Sequence, residues 1–356
     1  MPKETQTINF AEALRQSMDS NLENDSSVYV MGLGVPDPKG IFGTTAGLQE
    51  KHGSNRVMDM PTSENGMTGI AVGSAIMGMK PIMTHQRVDF ALLALDQIVN
   101  SAAKWHYMFN GAMQVPMVIR LIVGMGWGQG PQHSQNLHAM FAHFPGLKVV
   151  MPTTAYDAKG LLSASIQDPN PVMFIEHRWL YNIVDEVPTE NYIVPIGKAK
   201  VLEEGEDVTI VSSSYMTVEA LKAVEELRAE GVSAELIDLR TIKPLDTEAI
   251  LKSVRKTGRL VVADMSWKTL GLASEIITLA VENAFDDLKS PPIRVTLPDC
   301  YAPTSWALTN HYYPNSNDIV YSVKKLLGKK VDLKQMILDR QKNYLDVPDK
   351  SFTGPF

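Results

Sequence analysis

Short apolar runs alternate with amphipathic stretches along most of this chain, and that alternation restricts it to one fold class. Residues 27–32, 80–84, 115–120, 147–151 and 171–176 each read as a short, buried-type strand. Helical patterns lie between them at residues 91–109 and 155–167. Strands that alternate with helices pair in parallel, because each return crossing consumes a helix, and helices then cover both faces of the sheet. Ahead of this series, Phe10, Leu14 and Met18 share one face at a spacing of four, which predicts an amphipathic helix over residues 7–21. The pattern lapses at residues 182–195, which hold acids, two prolines and no periodicity. It restarts with strand-like residues 208–212, 234–238 and 259–263 and helical patterns over 216–230, 247–256 and 273–285. The expected fold is α/β with two doubly wound sheets: one domain over residues 1–181, a linker over 182–197, a second, smaller domain over 198–330 and a charged tail over 331–356.

Composition removes several functional classes. The chain has 356 residues, a hydrophobic content of 44% and a charged content of 21%, as in water-soluble two-domain proteins. A net charge of −7 offers no basic footprint for nucleic acid. Cys300 is the sole cysteine, so neither an intrachain disulfide nor a multi-thiolate metal site is available. The most apolar stretch, residues 115–126, is interrupted by Pro116 and Arg120 and is too short to span a bilayer. The opening residues are polar and lack a signal-peptide core, so a cytoplasmic location without membrane contact is expected. The 19 methionines scatter through apolar segments and suit gap-filling roles in the core.

Chemistry-bearing residues stand out against this frame. Glu64 lies at a transition from polar to small residues, Thr62-Ser63-Glu64-Asn65-Gly66, where a helix opening at Thr62 or Ser63 would have a hydroxyl cap and an acid in its first turn. On these residues alone, a plain helix-start acid and a functional carboxyl both fit. Gly124, Gly126, Gly128 and Gly130 alternate with other residues, which suits a loop approached closely by a ligand or a partner chain. His133 follows that loop. His138 and His143 are five apart, a helical spacing that puts them on different faces, so both read as structural. Arg87 is expected to pair with Asp89 or to meet an anion. His177-Arg178-Trp179-Leu180-Tyr181 is a basic and aromatic cluster that reads first as an exposed charge pair and second as a contact for an anionic substrate.

Several segments occur together in order: Met60-Pro61-Thr62-Ser63-Glu64-Asn65-Gly66, Asp89-Phe90, Leu95-Asp96-Gln97-Ile98-Val99-Asn100-Ser101-Ala102-Ala103-Lys104, Gln132-His133-Ser134-Gln135, Pro145-Gly146-Leu147-Lys148-Val149-Val150 and Asp238-Leu239-Arg240-Thr241-Ile242-Lys243-Pro244-Leu245-Asp246. In combination they resemble the β subunit of the thiamine-diphosphate-dependent 2-oxo acid dehydrogenases, a relative of the pyrimidine-binding and C-terminal domains of transketolase. The resemblance covers residues 6–328. It implies that Glu64 meets the ring nitrogen of the cofactor's aminopyrimidine, that Phe90 stacks on that ring, that Gln86 contributes to cofactor binding and that His133 acts on the substrate side. It further implies thiamine diphosphate and Mg²⁺ as cofactors. The Gly-Asp-Gly step that anchors the diphosphate and metal in this family is absent from the sequence, and no metal ligands are expected here. An α subunit is therefore expected to supply that half, in an α₂β₂ heterotetramer, with a lipoyl acyltransferase as a further partner. Two alternatives accompany this expectation: a transketolase-like or acyloin-forming enzyme with a sugar or aldehyde acceptor, and a non-catalytic assembly subunit. Arg87, the glycine-rich loop and His177-Arg178 depart from the usual dehydrogenase pattern.

Overall fold

The structure is a computed structural model and describes residues 4–342. The chain divides into two compact units: one runs up to Gly124 and resumes over Met140–Ile196, and the other joins Met125–Ala139 to the chain from Gly197 onward. In chain order the elements of the N-terminal half are β1 (Thr5–Asn9), α1 (Phe10–Asn24), β2 (Val28–Gly32), α2 (Leu48–His52), β3 (Val57–Met58), α3 (Glu64–Ile76), β4 (Lys80–His85), α4 (Ala103–Met108), β5 (Val118–Val123), α5 (His138–His143), β6 (Lys148–Val150), α6 (Ala155–Gln167), β7 (Val172–His177) and β8 (Val184–Pro188).

In the first unit, β6, β7, β5, β4, β2 and β3 lie side by side in that order. All of these pairings are parallel. The first strand of the series, β2, thus has β3 on one side and β4 on the other. The chain leaves β2 toward one edge and then crosses back past it, so the loops after β2 and β4 diverge and leave a crevice at their carboxyl ends. Both β5 and β7 are buried along their whole length. They carry a charge pair into that interior: Arg120 Nε donates to Glu176 Oε1 at 2.5 Å and Nη2 to Oε2 at 2.9 Å. Tyr181 Oη donates to the same carboxylate at 2.6 Å. A bidentate geometry with a third donor is what lets such a pair survive without water.

Three stretches differ from the sequence-based expectation. Residues 5–9 form a strand instead of the first turn of the N-terminal helix, and α1 begins at Phe10, where Asn9 Oδ1 accepts the Glu12 N–H at 2.8 Å. The strand has an antiparallel partner in β8, within the stretch read as irregular linker. This small ladder is only partly buried and joins residues about 180 positions apart, so no local apolar period announces it. The helix expected over residues 91–109 is divided into a 3₁₀ stretch, Val88–Ala94, a π stretch, Gln97–Ala102, and then α4.

The second unit holds β9 (Lys200–Glu203), β10 (Val208–Ser212), α7 (Tyr215–Ala229), β11 (Ala234–Asp238), β12 (Thr241–Lys243), α8 (Thr247–Thr257), β13 (Leu260–Trp267), α9 (Leu272–Ala284), β14 (Ile293–Leu297), α10 (Trp306–Tyr312) and α11 (Ser316–Leu326). Its sheet runs β14, β13, β10, β11, β9, with β9 alone antiparallel. The tail continues into α12 (Leu333–Lys342), and its remainder lies outside the described residues. No helix among the described residues is long and apolar enough to cross a membrane.

Candidate active site

The crevice at the carboxyl ends of β2 and β4 opens into a cavity lined by Leu33, Met60, Glu64, Thr84, His85, Gln86 and Phe90. Each wall has a local cause. Leu33 is the first residue beyond β2. Asp59 pins the loops after β2 and β3 together, its Oδ1 accepting the N–H of Gly34 and of Met60, both at 2.9 Å. Gln86 Nε2 donates to the Leu33 carbonyl at 2.9 Å and ties the exit of β4 to the exit of β2. Gly34 adopts φ 74°, a left-handed conformation that favours glycine, and a Cβ there would displace the side-chain ends of Gln86 and Asp37, each at 2.9 Å.

Glu64 is the first residue of α3, with Ser63 at the cap position, although the Ser63 hydroxyl makes no capping hydrogen bond. Its side chain is only 9% exposed, so it is not a solvated helix-start acid. Phe90 follows β4 on the 3₁₀ stretch Val88–Ala94 and presents a ring to the same cavity. Thr84 Oγ1 and His85 Nε2 are buried polar atoms with no hydrogen-bond partner among the described residues. Burial pushes the His85 imidazole down to about 4, so it is neutral at physiological pH.

Glu64, Gln86 and Phe90 are thus brought to one cavity wall. His133 belongs to the other unit, in the segment Met125–Ala139, just after the short 3₁₀ turn Gly130–Gln132. Gly126, Gly128 and Gly130 of the preceding loop adopt φ values of 75°, 68° and 61°, a left-handed region that explains the glycine repeat. The close approach at Gly130 is made within the chain: a Cβ there would meet Thr304 Cγ2 at 2.5 Å. His138, read as structural in the sequence, is buried. Its Nε2 lies 2.8 Å from Asp264 Oδ1, and Ser266 Oγ donates to the same carboxylate. Burial alone would raise the Asp264 pKa, but His138 and Ser266 outweigh it and hold the carboxyl below its usual value.

His177 and Arg178 correct the sequence-based expectation of an exposed cluster. They are 2% and 8% exposed: His177 ends the buried strand β7, and Arg178 opens the short 3₁₀ turn Arg178–Leu180 that follows it. Arg178 and Arg87 both stand over the Phe42 ring, at 4.5 and 5.1 Å, and Arg178 also covers Tyr181 at 5.0 Å. Burial lowers the pKa of both guanidiniums. Thr84 and His85 received no role from the sequence. Their signal is a polar pair closing an apolar strand, at the end where α/β sheets hold ligands. Among the described residues, no three His, Cys, Asp or Glu side chains are grouped to hold a metal ion.

Residues 6–184 match the family described as transketolase, pyrimidine binding domain, and residues 197–319 match transketolase, C-terminal domain. Fold and site thus define a two-domain protein of the transketolase type. Within that class, the chain belongs to the family of β subunits of 2-oxo acid dehydrogenases. It is 44% identical to the mitochondrial pyruvate dehydrogenase E1 component subunit beta of Caenorhabditis elegans, over 90% of this chain and 93% of that protein. It is 42% identical to the Rhizobium meliloti pyruvate dehydrogenase E1 component subunit beta, over 92% of this chain and 71% of the relative. Identity to the Bacillus subtilis 2-oxoisovalerate dehydrogenase subunit beta is 39%, over 90% and 98%. Among solved structures, a split gene transketolase described as an inactive beta4 tetramer superposes with a TM-score of 0.73 at 25% identity, covering 91% of this chain and 99% of that one.

Proposed function

We propose that this chain is the β subunit of a thiamine-diphosphate-dependent 2-oxo acid dehydrogenase, which decarboxylates a 2-oxo acid and passes the acyl group to a lipoyl acceptor. The observation that carries this reading is the cavity at the β2–β4 crevice, where a buried carboxyl, an aromatic ring and unsatisfied polar atoms converge. That set suits a flat, nitrogen-bearing ring such as the aminopyrimidine. When bound, thiamine diphosphate would supply a nucleophilic carbon and an electron sink for decarboxylation. Glu64 would hold the pyrimidine ring nitrogen and share a proton with it. Phe90 offers a stacking face, and Gln86 completes the wall beside it. His133 moves a proton on the substrate side, after activation is complete.

The diphosphate and Mg²⁺ need hard oxygen ligands, and nothing in this sequence matches the family's Gly-Asp-Gly anchor for them. An α subunit supplies them, in an α₂β₂ heterotetramer that hands its product to a lipoyl acyltransferase. The exposed, free Cys300 suits a reducing, cytoplasmic setting. The test is to assemble the chain with its α subunit and measure 2-oxo-acid-dependent acylation of a lipoyl domain. His133→Ala should keep cofactor binding and proton exchange at the thiazolium carbon while slowing turnover. An assembled heteromer that ignores 2-oxo acids but transfers a two-carbon unit between sugars would overturn the reading.

A further inference from the structure

His85 is buried in a way that no packing argument explains. It closes β4 and is 2% exposed, yet its Nε2 reaches neither solvent nor any hydrogen-bond partner among the described residues. Leaving such a nitrogen unsatisfied is costly to a folded protein. Two features of the fold show which face of the sheet carries this side chain. Side chains alternate along a strand, so Met83 and His85 share a face. Met83 faces α3, because its sulfur accepts the Thr68 hydroxyl at 3.2 Å. Glu64 and Thr68 are one turn apart, on one face of that helix. Because α3 connects two parallel strands, it runs opposite to them. Moving from Met83 to His85 advances about 6.6 Å along the strand, and moving from Thr68 back to Glu64 covers about 6 Å in the same direction. His85 therefore comes level with Glu64, on the side of the sheet that carries it, and both line the cavity.

We propose that His85 is a cofactor-binding residue whose Nε2 hydrogen-bonds the aminopyrimidine ring received by Glu64 and Phe90, which rests on the function proposed above. A neutral imidazole has one donor and one acceptor nitrogen, and an aminopyrimidine offers both complements, an amino group and ring nitrogens. An imidazolium would instead be a donor at both nitrogens and could accept nothing from that amino group. The low pKa of His85 fits this arrangement.

The experiment compares wild type, His85→Phe and His85→Gln, each assembled with the α subunit. It uses calorimetric titration with thiamine diphosphate and Mg²⁺, beside thermal melting of the cofactor-free chain. His85→Phe should bind the cofactor about tenfold more weakly, the loss of one hydrogen bond. Its cofactor-free form should melt no lower than wild type, because the unsatisfied nitrogen is gone. His85→Gln, whose amide restores a polar atom, should recover most of the affinity. Unchanged affinity in His85→Phe overturns the proposal, and so does a fall in melting temperature in both variants with affinity intact, which would assign His85 to the core. If neither variant assembles, His85 is likewise a packing residue and the proposal fails. A wild-type heteromer that binds no thiamine diphosphate is a separate result, and it overturns the function itself.

Discussion

Glu64 and His85 occupy the same wall but invite opposite measurements. Glu64→Gln is nearly isosteric and should leave assembly and melting temperature unchanged. On the function proposed above, the carboxyl it removes activates the cofactor, so turnover of the assembled enzyme should fall by about two decades or more, roughly 3 kcal/mol of activation free energy. Steady-state rates beside a melting curve check this, and wild-type turnover would return Glu64 to the role of a helix-start acid. His85 instead governs stability in acid. Its folded pKa of about 4 lies below the ordinary value of 6.5, and burial is the cause. As pH falls from 6.5 toward 4, the unfolded chain takes up this proton and the folded chain does not, so stability declines across that window and is fully present above it. His177, pushed by burial to about 3, adds a decline of the same sign that extends lower. Urea unfolding between pH 7 and pH 4 should therefore show a shallower loss in His85→Phe than in wild type; equal slopes would contradict the buried, neutral imidazole.

At the scale of elements, sharp backbone demands fall where loops join strands. Gly146, before β6, adopts φ 90°, and a Cβ there would lie 2.0 Å from the Ala103 carbonyl oxygen at the start of α4. Gly146→Ala must shift one of these segments, at a cost of about 2 kcal/mol or more; denaturant unfolding of the purified chain measures it. By contrast, Asn9→Ala removes only a cap from α1 and should cost about 1 kcal/mol. Most elements were legible in the sequence. The helix expected over residues 216–230 is found as Tyr215–Ala229, and that over 247–256 as Thr247–Thr257. Both have strong local periods and apolar faces. β1 and β8 were not legible, since their pairing depends on residues far apart in sequence. The division of residues 91–109 into 3₁₀, π and α segments was hidden for a related reason, because an apolar period of three to four is compatible with all three.

At the scale of the whole molecule, the chain carries only part of the proposed chemistry. It has a cavity lined by Glu64 and Phe90, and nothing in its sequence matches the family's anchor for a diphosphate. Purified alone, it should show no micromolar binding of thiamine diphosphate with Mg²⁺ in calorimetry, and binding should appear on addition of the α subunit. The sequence by itself determined the fold class and its two domains, because alternating periods of strand and helix are local and each commits its own segment to one conformation. It also marked Glu64, Gln86, Phe90 and His133, through motifs whose meaning came from resemblance. Only the tertiary structure decided which of these meet. Glu64, Gln86 and Phe90 converge because the chain crosses back past β2 to form β4, and that crossing brings three separate loops to one crevice. It alone disclosed His85, and it buried Arg178 against Phe42 where the sequence suggested an exposed charge. Burial depends on what the rest of the chain stacks over a residue, and no local pattern records that.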